Sequence, residues 1–346
     1  MAASAGILAL IVLVITCFIN FTLMVCLIVL GLTLLLFMLL FIAVNKLSKM
    51  TNWYRNQFIY TKQFVSNAGY RKDTQRNYEI VNLGSNPARF AFFYEDVLGQ
   101  NWSTGTQGLD KDLEILKYFH SYVKKDGVVL LPIVAFSSLS GYLQFHKSSL
   151  PYLAKFTSIL DRHQIVTMPR GRAACIWMKF PLCRHWKAWG ALIKDVQPDN
   201  RLNMSEQMMQ PLELNMDALQ WMDGWKKEFN IKNFNAPLTL ELQEGRKISV
   251  KNLQNMIDFC IERGLKPVLI LPPMSKYLSR LFTDKIRETY IYSFIREANV
   301  RNIPFLDYLD DERFSDPSLY FNSFFLNLRG RKIFTKQVLK DLNILK

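Results

Sequence analysis

The stretch Tyr78-Glu-Ile-Val-Asn-Leu-Gly-Ser-Asn-Pro-Ala88 decides how the rest of the chain is read. Ile80 to Leu83 is a short apolar run with the bulk of a buried strand, and Gly84-Ser85-Asn86-Pro87 ends it in a turn cluster. Small polar side chains are thereby presented at a strand's carboxyl end, the edge at which open α/β sheets bind ligands. A Gly-Ser tip there fits a turn bearing a nucleophile, and it equally fits an ordinary strand-to-helix turn.

On the carboxyl side, Leu109, Leu113, Leu116 and Phe119 recur at helical spacing and predict a helix from Leu109 to Lys125, stopped by Asp126-Gly127. Val128 to Phe136 reads as a second buried strand. Strand, helix and strand in that order predict a parallel sheet. The same rhythm returns later. Ser249 reads as the N-cap of a helix from Val250 to Arg263, with Gly264 at its end. Pro267 to Leu271 reads as a strand, Thr283 as the cap of a helix to about Ala298, Ile303 to Leu309 as a short strand, and Gly330 to Leu342 as the closing helix.

Residues 148–236 differ in kind and read as a long insertion. Pro151 to Arg162 and Met216 to Phe229 have helical patterns. Cys175 to Trp189 mixes Trp177, Trp186 and Trp189 with Lys179, Arg184, His185 and Lys187. Such a stretch suits a membrane surface or a glycan groove, or is simply core.

Toward the amino terminus, Ala2 to Val44 carries no charged residue. A helix needs roughly 20 residues to cross a bilayer, so residues 1–46 are predicted to form a transmembrane anchor. It is either one overlong helix or a hairpin turning near Cys17 to Thr22. A cleaved signal peptide is not expected, because no basic start and no small-residue cleavage site frame a short apolar core. Residues 47–77 are polar and irregular and read as a juxtamembrane linker. Lys46, Lys49, Arg55 and Lys62 follow the apolar run with no basic residue before it, which by the positive-inside rule puts that flank in the cytoplasm.

The formal net charge is +14, which suits an anionic partner such as lipid head groups or an acidic glycan. Nucleic acid does not fit, since neither zinc-ligand spacing nor an RNA-binding signature occurs. Outside the apolar run only Cys175, Cys183 and Cys260 remain. Their odd number and lack of CxxC pairing point to neither a disulfide framework nor a metal site, and no cofactor is expected.

Val81-Asn-Leu-Gly-Ser-Asn86, Gly99-Gln-Asn101, Gln107, Leu269-Ile-Leu-Pro-Pro-Met-Ser275 and Phe321-Asn-Ser-Phe-Phe-Leu-Asn-Leu-Arg-Gly330 occur in this order. Together they resemble the blocks of the SGNH (GDSL-like) hydrolase superfamily, and more closely its membrane-anchored bacterial members of surface-polysaccharide loci. The resemblance runs from about Ile80 to the end and skips the middle. It implies a flavodoxin-like three-layer α/β/α sandwich with a central parallel sheet behind the anchor. It also implies a soluble domain outside the cytoplasm, in tension with the basic flank.

The resemblance also assigns positions, and there the chain departs from the pattern. Aligned on Gly84, the nucleophile position carries Asn86, with Ser85 one place early. Aligned on Leu326, Asn327 and Gly330, the Asp and His positions carry Asn322 and Phe325. A serine hydroxyl attacks only when a base takes its proton, most often His. Phe325 accepts no proton, and Asn322 has no carboxylate to orient a base. All four His residues (His120, His146, His163, His185) precede the last block.

The expectation is a catalytically degenerate protein that binds or scaffolds during surface-polysaccharide biosynthesis or modification. The Asn86 and Gly99 N–H groups, Asn101 and the Gln107 amide would then hold an ester, acetyl or carboxylate group without cleaving it. Its expected partners are membrane lipid, an anionic or acylated glycan, and a membrane acyltransferase or assembly protein. The alternative is an active esterase or O-acyltransferase in which Ser85 works with a rebuilt base, Asp307 or Asp316. A third reading is a domain that only stabilises a complex.

Overall fold

A computed structural model of the chain describes residues 2–51, 53–54, 77–103, 105, 107–146, 172–173, 176, 180–183, 186–195 and 208–345. Five strands form one parallel sheet: β1 (Tyr78–Asn82), β2 (Gly99–Asn101), β3 (Val123–Pro132), β4 (Lys266–Leu271) and β5 (Phe305–Asp307), in the order β2-β1-β3-β4-β5. The parallel sheet expected from the strand–helix–strand rhythm is therefore present. Its strands read as continuous apolar runs because both faces are covered.

Successive side chains alternate between two cores. Val81, Leu83, Val129, Leu131, Leu269 and Leu271 point into one core. The helices α3 (Leu109–Phe119), α6 (Pro211–Phe229), α7 (Leu240–Glu262) and α8 (Ser293–Ala298) pack into it. Ile80, Leu130, Val268 and Ile270 point into the other, with the one-turn helix α2 (Asn86–Arg89) and the closing helix α9 (Leu328–Asp341).

Several boundaries differ from expectation: the second strand is Val123–Pro132 rather than Val128 to Phe136, and α6 begins at Pro211 rather than Met216. The helix α3 stops at Phe119 rather than Lys125, because Val123 already pairs with Tyr78 as the first residue of β3. The helix α7 begins at Leu240, capped by Thr239, so Ser249 is not an N-cap. It lies in mid-helix, where its hydroxyl donates to the Gly245 carbonyl at 3.0 Å and accepts from the Gly141 N–H at 2.9 Å. That second bond fastens α7 to α4 (Ser140–His146). Thr283 caps the helical turn Asp284–Arg287 as expected, though a π segment, Glu288–Tyr292, separates it from α8, and α9 begins at Leu328, capped by Asn327, rather than at Gly330.

At the amino terminus, Ala2–Ser48 is one continuous helix, α1, and not a hairpin. The polar side chains near the supposed turn are absorbed by the helix itself, as Thr22 Oγ1 donates to the Phe18 carbonyl at 2.9 Å. Among the described residues one helix, Leu13–Ser48, is long and apolar enough to cross a membrane, with a mean hydropathy of 3.1 and none of its most apolar window buried. Its last turns carry α5 (Trp186–Ile193) and the short turn Pro181–Cys183. The helix expected over Pro151 to Arg162, most of the linker and the side chains of Trp177 and Trp186 lie outside the described residues.

Candidate functional site

The β1 strand delivers the chain to the switch between β1 and β3, on either side of which connections run in opposite directions along the sheet. Gly84 turns the chain there with φ +107°, and a methyl group added to it would lie 2.8 Å from Ala88 Cβ. Only glycine meets both demands. Ser85 follows as the N-cap of α2 in extended conformation, with Pro at the start of the helix. Its hydroxyl caps nothing in that helix, and among the described residues nothing hydrogen-bonds to it.

Beneath the turn lies a carboxyl group that the sequence did not single out. Asp112, 3 % exposed on the first turn of α3, accepts the Gly84 N–H at 2.8 Å and a bond from Gln107 Nε2. Burial pushes its pKa up from 3.8 to about 7, against the opposing pull of those two donors. Two acidic residues in a first helical turn normally mean only a favourable helix dipole. No sequence signal separated Asp112 from Asp110.

The other expected ligand-binding groups are tied into the scaffold. Gln107, buried, also donates to the Trp102 carbonyl at 3.2 Å. Asn101 is fully buried and accepts from Asn82 Nδ2 at 2.9 Å, while its own Nδ2 donates to the Phe92 carbonyl at 3.1 Å. It thereby stitches β1, β2 and the end of the α2 turn together. The Gly99 N–H donates to the Val97 carbonyl at 2.8 Å. A methyl group on Gly99 would lie 2.5 Å from Tyr94 Cγ. The glycine that reaches the turn is Gly105, where an added methyl would lie 2.9 Å from Asn86 Oδ1.

Where the resemblance would place a base, the structure places aromatic rings. Phe325 stacks on Phe90 at 5.1 Å and on Phe324 at 5.0 Å, and meets Trp221 of α6 edge-on at 5.4 Å. Asn322 spends its carbonyl on a local turn, accepting from the Phe324 and Phe325 N–H groups at 2.9 and 2.7 Å. Asp217 of α6 accepts the Ser323 N–H at 2.9 Å, which pins the loop to the inserted segment. A cavity at this edge, lined by Pro87, Phe90, Leu271, Pro272, Met274 and Phe324 among others, has a volume of ≈ 10 Å³. That is room for about one water and not for a sugar or an acyl group.

Neither substitute base hydrogen-bonds to Ser85. Asp307 ends β5, three strands from β1 and thus on the order of 14 Å away. There it accepts from Tyr292 at 3.0 Å and the Leu309 N–H at 3.0 Å. Asp316 accepts from the Ser318 N–H and hydroxyl at 2.9 and 2.6 Å. His120 precedes β3, at the opposite edge of the sheet, with Nδ1 2.9 Å from the Lys117 carbonyl. The other three His side chains lie outside the described residues. Among the described residues no group of three His, Cys, Asp or Glu side chains is arranged to hold a metal ion. No protein-family model matches this chain, and no curated protein matches it.

Proposed function

We propose that this chain is a membrane-anchored, catalytically degenerate relative of the SGNH hydrolases that binds or scaffolds during bacterial surface-polysaccharide assembly. Its soluble part would be a flavodoxin-like three-layer sandwich, a reading supported by the 2-1-3-4-5 strand order and the separate cores on the two faces. One observation carries the functional reading. Phe325, which the resemblance aligns with the general base, stacks on Phe90, and among the described residues no proton acceptor hydrogen-bonds to the hydroxyl of Ser85. The partner then engages an outer surface rather than the cavity at the sheet edge. An acylated or anionic glycan and a membrane acyltransferase or assembly protein suit the chain's net positive charge.

A fluorophosphonate probe tests this on the detergent-solubilised full chain. The expected result is no labelling, with the native protein and Ser85→Ala indistinguishable. Labelling of the native protein that Ser85→Ala abolishes would establish a working esterase or O-acyltransferase instead. A thermal-shift series with O-acetylated and anionic oligosaccharides then separates the binding reading, in which the melting temperature rises, from a purely complex-stabilising role, in which it does not.

A further inference from the structure

We propose that α5, with the lysines that flank its exposed face, is a second membrane contact: a short helix lying in the head-group layer where α1 leaves the bilayer, favouring anionic lipid. The inference rests on reading α1 as a membrane anchor and is independent of the Ser85 turn.

Depth is the first argument. Leu23 to Val44 carries no charge, its one hydroxyl, Thr33, is satisfied within the helix, and it is about 33 Å long, close to the ~30 Å hydrocarbon thickness of a bilayer. The docking contacts begin where that length ends. Phe41 meets Phe180 at 5.6 Å, and Asn45 Oδ1 accepts the Leu182 N–H at 3.2 Å. Val44 packs on Leu182, Ala188 and Ala191 together with Trp53 and Tyr54. The Trp53 N–H donates to Asp195 just beyond α5, at 3.2 Å. These contacts hold α5 at the level at which α1 enters water.

The second argument is the face left over. Ala188 and Ala191 turn toward the anchor, while Trp189 is 52 % and Ile193 91 % exposed, flanked by exposed Lys187 and Lys194. The Trp189 indole N–H is already satisfied by the Leu182 carbonyl at 3.1 Å, so its ring can enter acyl chains without stranding a donor. Tryptophan with lysine at this depth is the pattern of a membrane interface.

Charge selects the lipid. Lys187 and Lys194 are exposed on either side of Trp189 and Ile193, and no acidic residue falls between them in the sequence. Basic side chains at this depth are drawn to an anionic leaflet. A soluble acidic protein would match the charge, but neither the depth nor the bare Trp189 and Ile193.

The test uses the full chain in nanodiscs of phosphatidylcholine, with and without phosphatidylglycerol. An environment-sensitive fluorescent amino acid replaces Ile193, Leu27 in mid-anchor, or Val300, which is 65 % exposed before β5. The expected result is quenching at 193 by lipid spin-labelled near the head group and at 27 by lipid labelled deep in the chain, with none at 300. Quenching at 193 rises with phosphatidylglycerol and is lost from those discs in Lys187→Glu/Lys194→Glu. A signal at 193 matching that at 300, with 27 still quenched, overturns the α5 contact and leaves the anchor standing. No quenching at 27 overturns both. Quenching at 193 that ignores phosphatidylglycerol overturns the preference for anionic lipid.

Discussion

The Gly84 backbone N–H and the Asp112 carboxyl group lie 2.8 Å apart, so the turn carrying Ser85 is held from below by a buried acid. Unfolded, Asp112 titrates near 3.8, and burial raises it to about 7 in the fold. The folded state therefore prefers the protonated acid. Its contribution to stability is complete below about pH 4 and is lost as pH rises through about 7, by at most roughly 4 kcal/mol. Asp112→Asn keeps the shape without titrating. Guanidinium unfolding across this range should show the native chain losing stability with rising pH, relative to the Asn variant. Parallel pH profiles would show that Asp112 ionises freely in the fold.

Gly99 is predicted to matter to folding first. Its missing side chain makes room for the ring of Tyr94, which bonds Asn82 Oδ1 at 3.1 Å beneath the α2 turn. Gly99→Ala drives a methyl group into that ring and should cost about 1–3 kcal/mol, seen as a lower melting temperature. Tyr94→Phe keeps the ring and removes only the bond, so it should leave the glycine's sensitivity in place. A stable Gly99→Ala variant would contradict this packing.

Phe325→Ala should open the filled edge of the sheet. The ring is 7 % exposed and packs on Phe90, Phe324 and Trp221. Truncating such a phenylalanine costs about 3–5 kcal/mol and leaves an apolar void. The expected readouts are a large fall in melting temperature and uptake of a small apolar dye by the variant alone. Phe325→Leu, which keeps much of the volume, should lose far less. Equal stability of all three chains would mean that the rings are not packed as described.

The parallel sheet was legible because Ile80 to Leu83, Val128 to Leu131 and Pro267 to Leu271 are dense apolar runs bounded by turn residues, and burial on both faces demands that. The Gly84-Ser85 tip was legible for the same reason, as turn chemistry is local. What lies around it was not. Asp112, Gly105 and Asp217 reach the turn or the late loop only through tertiary packing, and none carries a spacing that announces it. Gly99 and Asn101 stood out as ligand-binding groups, whereas their visible contacts build the sheet edge. The basic-aromatic stretch before Trp189 left membrane, glycan and core all open, and its described part packs on the end of α1.

Gly245 offers the sharpest contrast between local and tertiary reasoning. Within a helix, glycine is worth about 1 kcal/mol less than alanine, so propensity alone predicts that Gly245→Ala stabilises. In the fold, α7 crosses α4 so closely that the added methyl would lie 2.6 Å from the Tyr142 backbone nitrogen. Backbone cannot swing aside as a side chain can, so the two helices must part. Parting them also weakens the bond from the Gly141 N–H to Ser249. Gly245→Ala is therefore expected to lower the melting temperature, opposite in sign to the helix-propensity effect. Ser249→Ala should cost about 1–3 kcal/mol by orphaning the Gly141 N–H. Because both act at one crossing, the double variant should lose less than the two single losses added together. A Gly245→Ala chain more stable than the native one would show that α4 and α7 do not meet there.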